Sequence, residues 1–522
     1  MSLFISKQSG PAQTSMSPAL KTAVPVGSLE ARVLPEKTVS TAQRRRLALT
    51  SQGWRSESFK SASQKLSAAA SRLRTEADRE SKYWDQVTEL KTRGWPVSRL
   101  PRDSEAIGAH FGFAESAPQF RDRGFALLRQ GIDGKIWLDR HASLSRTAKL
   151  EISIYRKGQR TGYFAPAYPT GADTATISEE IAEARNALFE EELFYEVCRE
   201  TRIAANQGIT ARAQAVEVDI SGEYQISLAL SDSKTPARAS GGEDDHLAEF
   251  VALSLRLLLR GAHERNLFRR SQRPPALSHR PATTHEYVLL RPIVAQLRHK
   301  ASIAHFEHHC GLFIASLRKA GLQVTLARTG RGRENHPLDI ADTTLFFLMH
   351  PAQTTFELHL VSGRTLQIDI TTYLGPPLHG TRYESSPLDF GFASMPIATH
   401  DTDWRALASI RHVLTLDLVA HVEGLAAECG KAMAGQEWHI SQPHNGELSM
   451  HHLGQIARKV QLSVLPHAVD IKAIDCGRNN VPSRKAWLWT TDGSWELSDK
   501  GERVENPLPF DEVVRRLLRR PD

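Results

Sequence analysis

A chain of 522 residues exceeds what one hydrophobic core usually supports, and 40% hydrophobic with 7% aromatic residues suits several folded units joined by connecting segments. With 33 Gly and 26 Pro the composition is neither collagen-like nor wholly disordered. Apolar stretches such as residues 343–349 are too short to span a bilayer, and the first ten residues lack the cationic start and long apolar run of a secretory signal.

The net charge of +7 sits at one end: residues 1–94 hold 16 Lys or Arg against 8 Asp or Glu, which leaves about −1 for the other 428. A basic arm suits either nucleic acid or an acidic protein partner. Aromatic stacking residues are not interleaved with the charges, so the protein partner is preferred and direct DNA contact is not expected to dominate. The four cysteines, Cys198, Cys310, Cys429 and Cys476, are scattered without a close pair, as expected of a reducing compartment.

Residues 7–52, punctuated by Pro11, Pro18, Pro25 and Pro35, read as an extended linker, and Arg44-Arg45-Arg46 within it as solvated charge or an import signal. Residues 56–93 contain no Pro or Gly and are rich in Ala, Lys, Arg, Gln and Glu, which predicts one long helix ended by Gly94, Trp95 and Pro96. Phe59, Leu66, Leu73, Glu80 and Val87 recur every seven residues, and Ser63, Ala70, Ala77 and Trp84 form a companion row. The candidate partner-helix interface is therefore Phe59, Leu66, Ala70, Leu73, Ala77, Trp84 and Val87. A lone helix with this marginal seam buries little, so it needs other helices, from partner chains or from its own.

Leu150, Ile152 and Ile154 alternate before the turn Lys157-Gly158, marking a β unit. Thr176 to Glu179 reads as a capping box opening a helix to about residue 205. Val216, Val218 and Ile220, then Ile226, Leu228 and Leu230, flank Ser221-Gly222 as a hairpin. Long helices follow at 244–270 and 285–319, separated by the proline-containing stretch 274–281. Beyond Gly321 come strand candidates at 323–327 and 343–349, and a hairpin of Phe356, Leu358 and Leu360 against Leu366, Ile368 and Ile370. Trp404, Leu407, Leu414, Leu418 and Leu425 mark a further helix. Val460, Leu462 and Val464, then Trp487-Leu488-Trp489 before Asp492-Gly493, mark strands, and a last short helix starts at Asp511.

The strongest metal candidates are His299, His305, His308, His309 and Cys310, because imidazole and thiolate ligate zinc and positions 305 and 309 share a helix face. The segment lacks the Glu of HExxH, and helical geometry scatters the other ligands, so solvated or packed histidines are expected. His444, His451 and His452 read as surface histidines around an Asn445-Gly446 turn. Gly330-Arg331-Gly332-Arg333 lacks phosphate-loop spacing, and no nucleophile elbow, Rossmann glycine pattern or kinase set is present. The expectation is a non-enzyme without metal or cofactor.

Glu80-Ser81-Lys82-Tyr83-Trp84-Asp85-Gln86-Val87, Gly94-Trp95, Arg99-Leu100-Pro101-Arg102, Phe111-Gly112-Phe113, Ala117-Pro118, Phe120-Arg121 and Arg123-Gly124, in that order, resemble subunit 17 of the Mediator complex of filamentous fungi. Further matches are Ser17-Pro18, Gly27-Ser28-Leu29, Glu191-Glu192-Leu193, Arg199-Glu200, residues 255–259, His263, Asn266-Leu267 and Leu290-Arg291-Pro292. To about residue 300 the likeness rests on motifs, and beyond it on the order of elements. Family members usually carry sequence before the proline-containing linker, so an upstream segment is expected to be missing here.

The resemblance implies an α+β fold: a long N-terminal coiled-coil-like helix for a multi-subunit helical bundle, followed by mixed antiparallel-sheet and helix domains. The expected division is a linker at 1–55, a bundle helix at 56–94, a middle α+β region at 95–320 and a C-terminal α+β domain at 321–522. The implied function is a scaffold of the Mediator head module in the nucleus, a coactivator bridging regulators to RNA polymerase II. Subunits 11 and 22 would lie at the N-terminal helix and subunits 6 and 8 nearer the C-terminal half, with no membrane partner. The alternatives are a basic nucleic-acid-binding protein and a zinc enzyme built on residues 305–310.

Overall fold

The computed structural model describes residues 17–23, 38–100, 106–140, 148–167, 176–202, 208–212, 214–232, 241–272, 287–329, 340–375, 378–430, 437–452, 455–475, 483–490, 492–497, 503–505 and 508–518. Gly27-Ser28-Leu29, the 274–281 stretch, Gly330-Arg331-Gly332-Arg333 and Cys476 lie outside them. The chain divides into two units, residues 1–86 with 131–135, and residues 87–130 with 136–522.

The first unit is dominated by helix α1, Thr41–Thr92, 52 residues and about 78 Å long. It starts 15 residues before the expected position 56, so residues 41–52 are helix and not linker. The reason is a capping pair: the Gln43 amide lies 3.3 Å from Ser40 Oγ, and the Ser40 amide lies 3.2 Å from Gln43 Oε1. No proline interrupts the chain between Pro35 and Pro96, and one exposed interior glycine, Gly53, costs only about 1 kcal/mol. The last turn belongs to the second unit and closes at Gly94 with φ +88°, where the Trp95 amide reaches Leu90 O and the Gly94 amide reaches Lys91 O.

The second unit is an α+β assembly of antiparallel sheets. Strands β1 (Val97–Arg99), β2 (Ile107–His110), β3 (Phe125–Gln130) and β4 (Ile136–Arg140) form a four-stranded meander. The quoted motifs meet beside it: Gly112 donates to Gly124 O, and a Cβ on Gly124 would stand 2.2 Å from Gly112 Cα, so only glycine fits both positions.

A five-stranded sheet follows in the order β6-β5-β9-β8-β7, from β5 (Ala148–Arg156), β6 (Gln159–Phe164), β7 (Ile209–Ala211), β8 (Ala215–Asp219) and β9 (Tyr224–Asp232). The anticipated hairpin register holds, with Val216 opposite Leu228 and Val218 opposite Ile226. Helices α2 (Ile177–Thr201), α3 (Asp245–Ser271) and the first half of α4 (Leu290–Lys319) join this sheet in one core containing Leu150, Leu193, Leu255 and Ile293. The α2 start is the expected capping box, with the Thr176 amide 2.9 Å from Glu179 Oε2.

The second half of α4 enters another core. Phe306, Phe313 and Leu317 pack there with a sheet of β10 (Thr325–Thr329), β11 (Ala352–His359), β12 (Thr365–Gly375), β13 (Leu378–Ser385) and β16 (Ala398–His400). A short pair, β14 (Leu388–Asp389) and β15 (Ser394–Met395), precedes β16. Residues 343–349, expected as a strand, belong to helix α5 (Ile340–Met349). Leu345, Leu348 and Met349 face the first core at helical spacing and Leu345 abuts Gly261, while Phe346 and Phe347 stay exposed.

Helix α6 (Asp403–Gly430) and a seven-stranded meander complete the second core. The meander runs in chain order through β17 (Glu437–Gln442), β18 (Glu447–His452), β19 (Gln455–Leu465), β20 (Ala468–Asp475), β21 (Ser483–Thr490), β22 (Ser494–Leu497) and β23 (Arg503–Glu505). Helix α7 (Phe510–Leu518) seals it, with Phe510 against Trp489.

Candidate partner-helix interface

Six of the seven seam residues on α1 face solvent. Phe59, Leu66 and Leu73 are 74%, 70% and 71% exposed, Trp84 is 47% exposed, and Ala70 and Ala77 are exposed between them. Val87 is the exception, buried within the chain at 8% exposure. Glu80, the polar member of the leucine row, accepts the Trp84 indole N–H at 2.9 Å, a link between the two rows of the seam. Covering one large apolar side chain is worth about 1.5–3 kcal/mol. Three such side chains stand in water along one face of the helix.

One large apolar residue of the companion row lies upstream of the residues singled out from sequence. Exposed Leu49 lies fourteen residues before Ser63, in the companion row, whereas exposed Leu47 and Trp54 fall outside both rows. The heptad count would have found Leu49 had the helix been started at Ser40.

The histidine group does not assemble into a metal centre. His305 and His309 do share a helix face, with Nε2 atoms 2.9 Å apart and His305 Nδ1 3.0 Å from Asp403 Oδ2. Burial first, then the neighbouring His305 and His308, holds the His309 imidazole below its usual range. His299 is buried between Thr372 Oγ1 at 2.9 Å and Thr354 Oγ1 at 3.0 Å, and burial with nearby Arg328 pushes it down to about 4. Burial pushes the Cys310 thiol up to about 12, so it packs as a neutral apolar group. Among the described residues, no three or more His, Cys, Asp or Glu are placed to hold a metal ion. His444 sits against His412 at 3.1 Å and His451 near Ser449 at 3.2 Å, so that local group also scatters.

A second arrangement lies inside the second unit, on α2. Glu190, Glu192, Glu196 and Glu200 are all buried. Glu190 accepts the Leu150 amide and a two-pronged contact from Arg256 at 2.8 and 3.0 Å. Glu192 takes the Ser116 hydroxyl at 2.7 Å and lies 3.1 Å from His263 Nε2. Glu200 receives the amides of Leu289, Leu290 and Arg291 at the start of α4, together with Arg291 Nε at 2.8 Å. Arg123 reaches Glu191 at 2.5 Å, and Asn266 donates to Tyr287 Oη at 2.9 Å. Glu196 is the least satisfied. Its Oε1 has no hydrogen-bond partner, and burial pushes its carboxyl up to about 6 against the pull of Arg199.

The family model described as "Subunit 17 of Mediator complex" matches residues 1–317. "Mediator of RNA polymerase II transcription subunit 17" of Emericella nidulans is 34% identical over 491 residues, covering 92% of this chain and 78% of that protein. The chain belongs to the Mediator subunit 17 family. Its Coccidioides immitis relative is 33% identical over 472 residues, 85% of this chain and 67% of the relative. Among solved structures, one titled "Structure of the Schizosaccharomyces pombe Mediator head module" has a chain of similar fold, with TM-score 0.56 and 19% identity over 79% of this chain and 92% of that one. Within the subunit 17 family frame, the motif residues Glu192, Glu200, His263, Asn266 and Arg291 have a shared physical role. They lie far apart in sequence and converge on the buried polar contacts that fix α2, α3 and α4.

Proposed function

We propose that this chain acts in the nucleus as a non-enzymatic scaffold subunit of the Mediator head module, a coactivator that bridges regulators to RNA polymerase II. In this reading the exposed face of α1, at Phe59, Leu66, Ala70, Leu73, Ala77 and Trp84, enters a helical bundle with Mediator subunits 11 and 22. The sheet-rich C-terminal half lies near subunits 6 and 8. The proposed division has a linker, a bundle helix that starts at Thr41, a middle region and a C-terminal domain, with the second half of α4 given to the C-terminal core and α5 to the middle one.

The observation that carries the reading is the exposed apolar row of α1 in a chain whose 34% identity to a Mediator subunit 17 runs over 92% of its length. A seam of this kind gains stability only when other helices cover it. The test is co-expression with subunits 11 and 22, followed by size-exclusion chromatography, comparing wild type with the double variant Leu66→Asp, Leu73→Asp. A stable complex abolished by the two carboxylates is the expected result. Wild-type chain that stays monomeric beside both partners would remove the assignment.

A further inference from the structure

Helix α1 carries two different charge patterns along one seam. Residues 41–65 hold six cations, Arg44, Arg45, Arg46, Arg55, Lys60 and Lys65, against the single acid Glu57, whereas residues 66–92 hold five Lys or Arg and five Asp or Glu. All six cations are exposed. Downstream the opposite charges meet along the helix, as in Arg79 with Glu76 at 3.1 Å.

The heptad frame places these charges relative to the seam. With Ser56, Ser63 and Ala70 in one core row and Phe59, Leu66 and Leu73 in the other, the flanking positions upstream of Leu66 are occupied by Arg46, Arg55 and Lys60 among Ala48, Gly53 and Ala62. Downstream, the same flanking positions include Arg74 and Glu76. Flanking charges face the partner helix across the seam and decide which partner and which direction is accepted.

We propose that residues 41–65 of α1 dock an acidic amphipathic helix of a Mediator partner, whose Asp or Glu residues flank its own apolar row and face Arg46, Arg55 and Lys60. This rests on the bundle reading above, and adds the sign of the partner and a longer contact. The exposed apolar side chains Leu49 and Phe59 occupy the two rows between these cations, and a helix offering both carboxylates and aliphatic surface satisfies both. A nucleic-acid backbone satisfies only the charges.

The test uses the full chain co-purified with its head-module partners. Arg46→Glu, Arg55→Glu, Lys60→Glu is expected to weaken assembly at least about tenfold at 0.15 M salt, through lost attraction and new repulsion at three flanking positions. The neutral set Arg46→Gln, Arg55→Gln, Lys60→Gln, which keeps good helix formers, is expected to flatten the salt dependence of assembly. If the Glu set assembles as tightly as wild type while Leu66→Asp, Leu73→Asp does not assemble, this proposal falls and the seam stands. If neither set matters, the seam and this proposal fall together. Loss of duplex DNA binding by the Gln set with assembly unchanged would make the surface a nucleic-acid site and overturn the proposal.

Discussion

Helices α1 and α2 invert each other. The first leaves Phe59, Leu66 and Leu73 in solvent, and the second buries Glu190, Glu192, Glu196 and Glu200. Each departs from the usual sorting of side chains, for a different reason. The carboxylates of α2 are tolerated because arginines, a histidine and backbone amides from other elements meet them inside the same unit. The apolar row of α1 meets no such answer among the described residues, and no side chain of residues 41–80 is buried. Buried charge thus marks contacts the chain completes itself, and in the proposed reading exposed apolar surface marks contacts made with another chain.

The largest expected effect within this contrast comes from breaking an internal contact. Arg291→Ala leaves Glu200 buried with only amide donors, and a buried pair deprived of one partner typically costs about 3–5 kcal/mol. Chemical denaturation of the purified chain should show a loss of that size in the cooperative transition of the second unit. A loss below about 1 kcal/mol, the range of an exposed pair, would mean that the Glu200 contact does not anchor α4.

A smaller effect with a distinctive pH profile is expected at Glu196. Its carboxyl is raised from 4.5 to about 6 in the fold, so between these values the folded chain holds a proton that the unfolded chain releases. Stability from this group therefore falls as pH rises through that window, and below it the folded and unfolded chains are protonated alike. Glu196→Gln should be the more stable chain at pH 7 by on the order of 1 kcal/mol and nearly equal to wild type at pH 4, read from paired denaturation curves. Equal stability of the two chains at both pH values would mean that the carboxylate is satisfied in the fold.

The two helices also differ in how far they could be read beforehand. The α1 helix was legible because a run of helix formers without Pro or Gly is a local signal, whereas its start was missed because the Ser- and Pro-rich composition before it masked the Ser40 and Gln43 cap. The hairpins at 216–230 and 356–370 were legible because a turn between two alternating rows sets the register. Helix α5 was misread because Thr343 to Met349 is β-branched and aromatic in a short run, and only the position of Leu345 against α3 decides its period. The buried carboxylates were not legible from spacing. Glu200 and Arg291 are 91 residues apart, and Glu192 and His263 are 71 apart, so nothing local pairs them.

The central claim is that residues 41–80 form a helix whose apolar face is completed by other chains. Backbone hydrogen exchange of that segment, measured in the free chain and in the complex with its head-module partners, tests it most directly. The expected result is weak protection of residues 56–80 in the free chain and strong protection in the complex, with little change at α2 and α4. Strong protection in the free chain, unchanged on assembly, would contradict it.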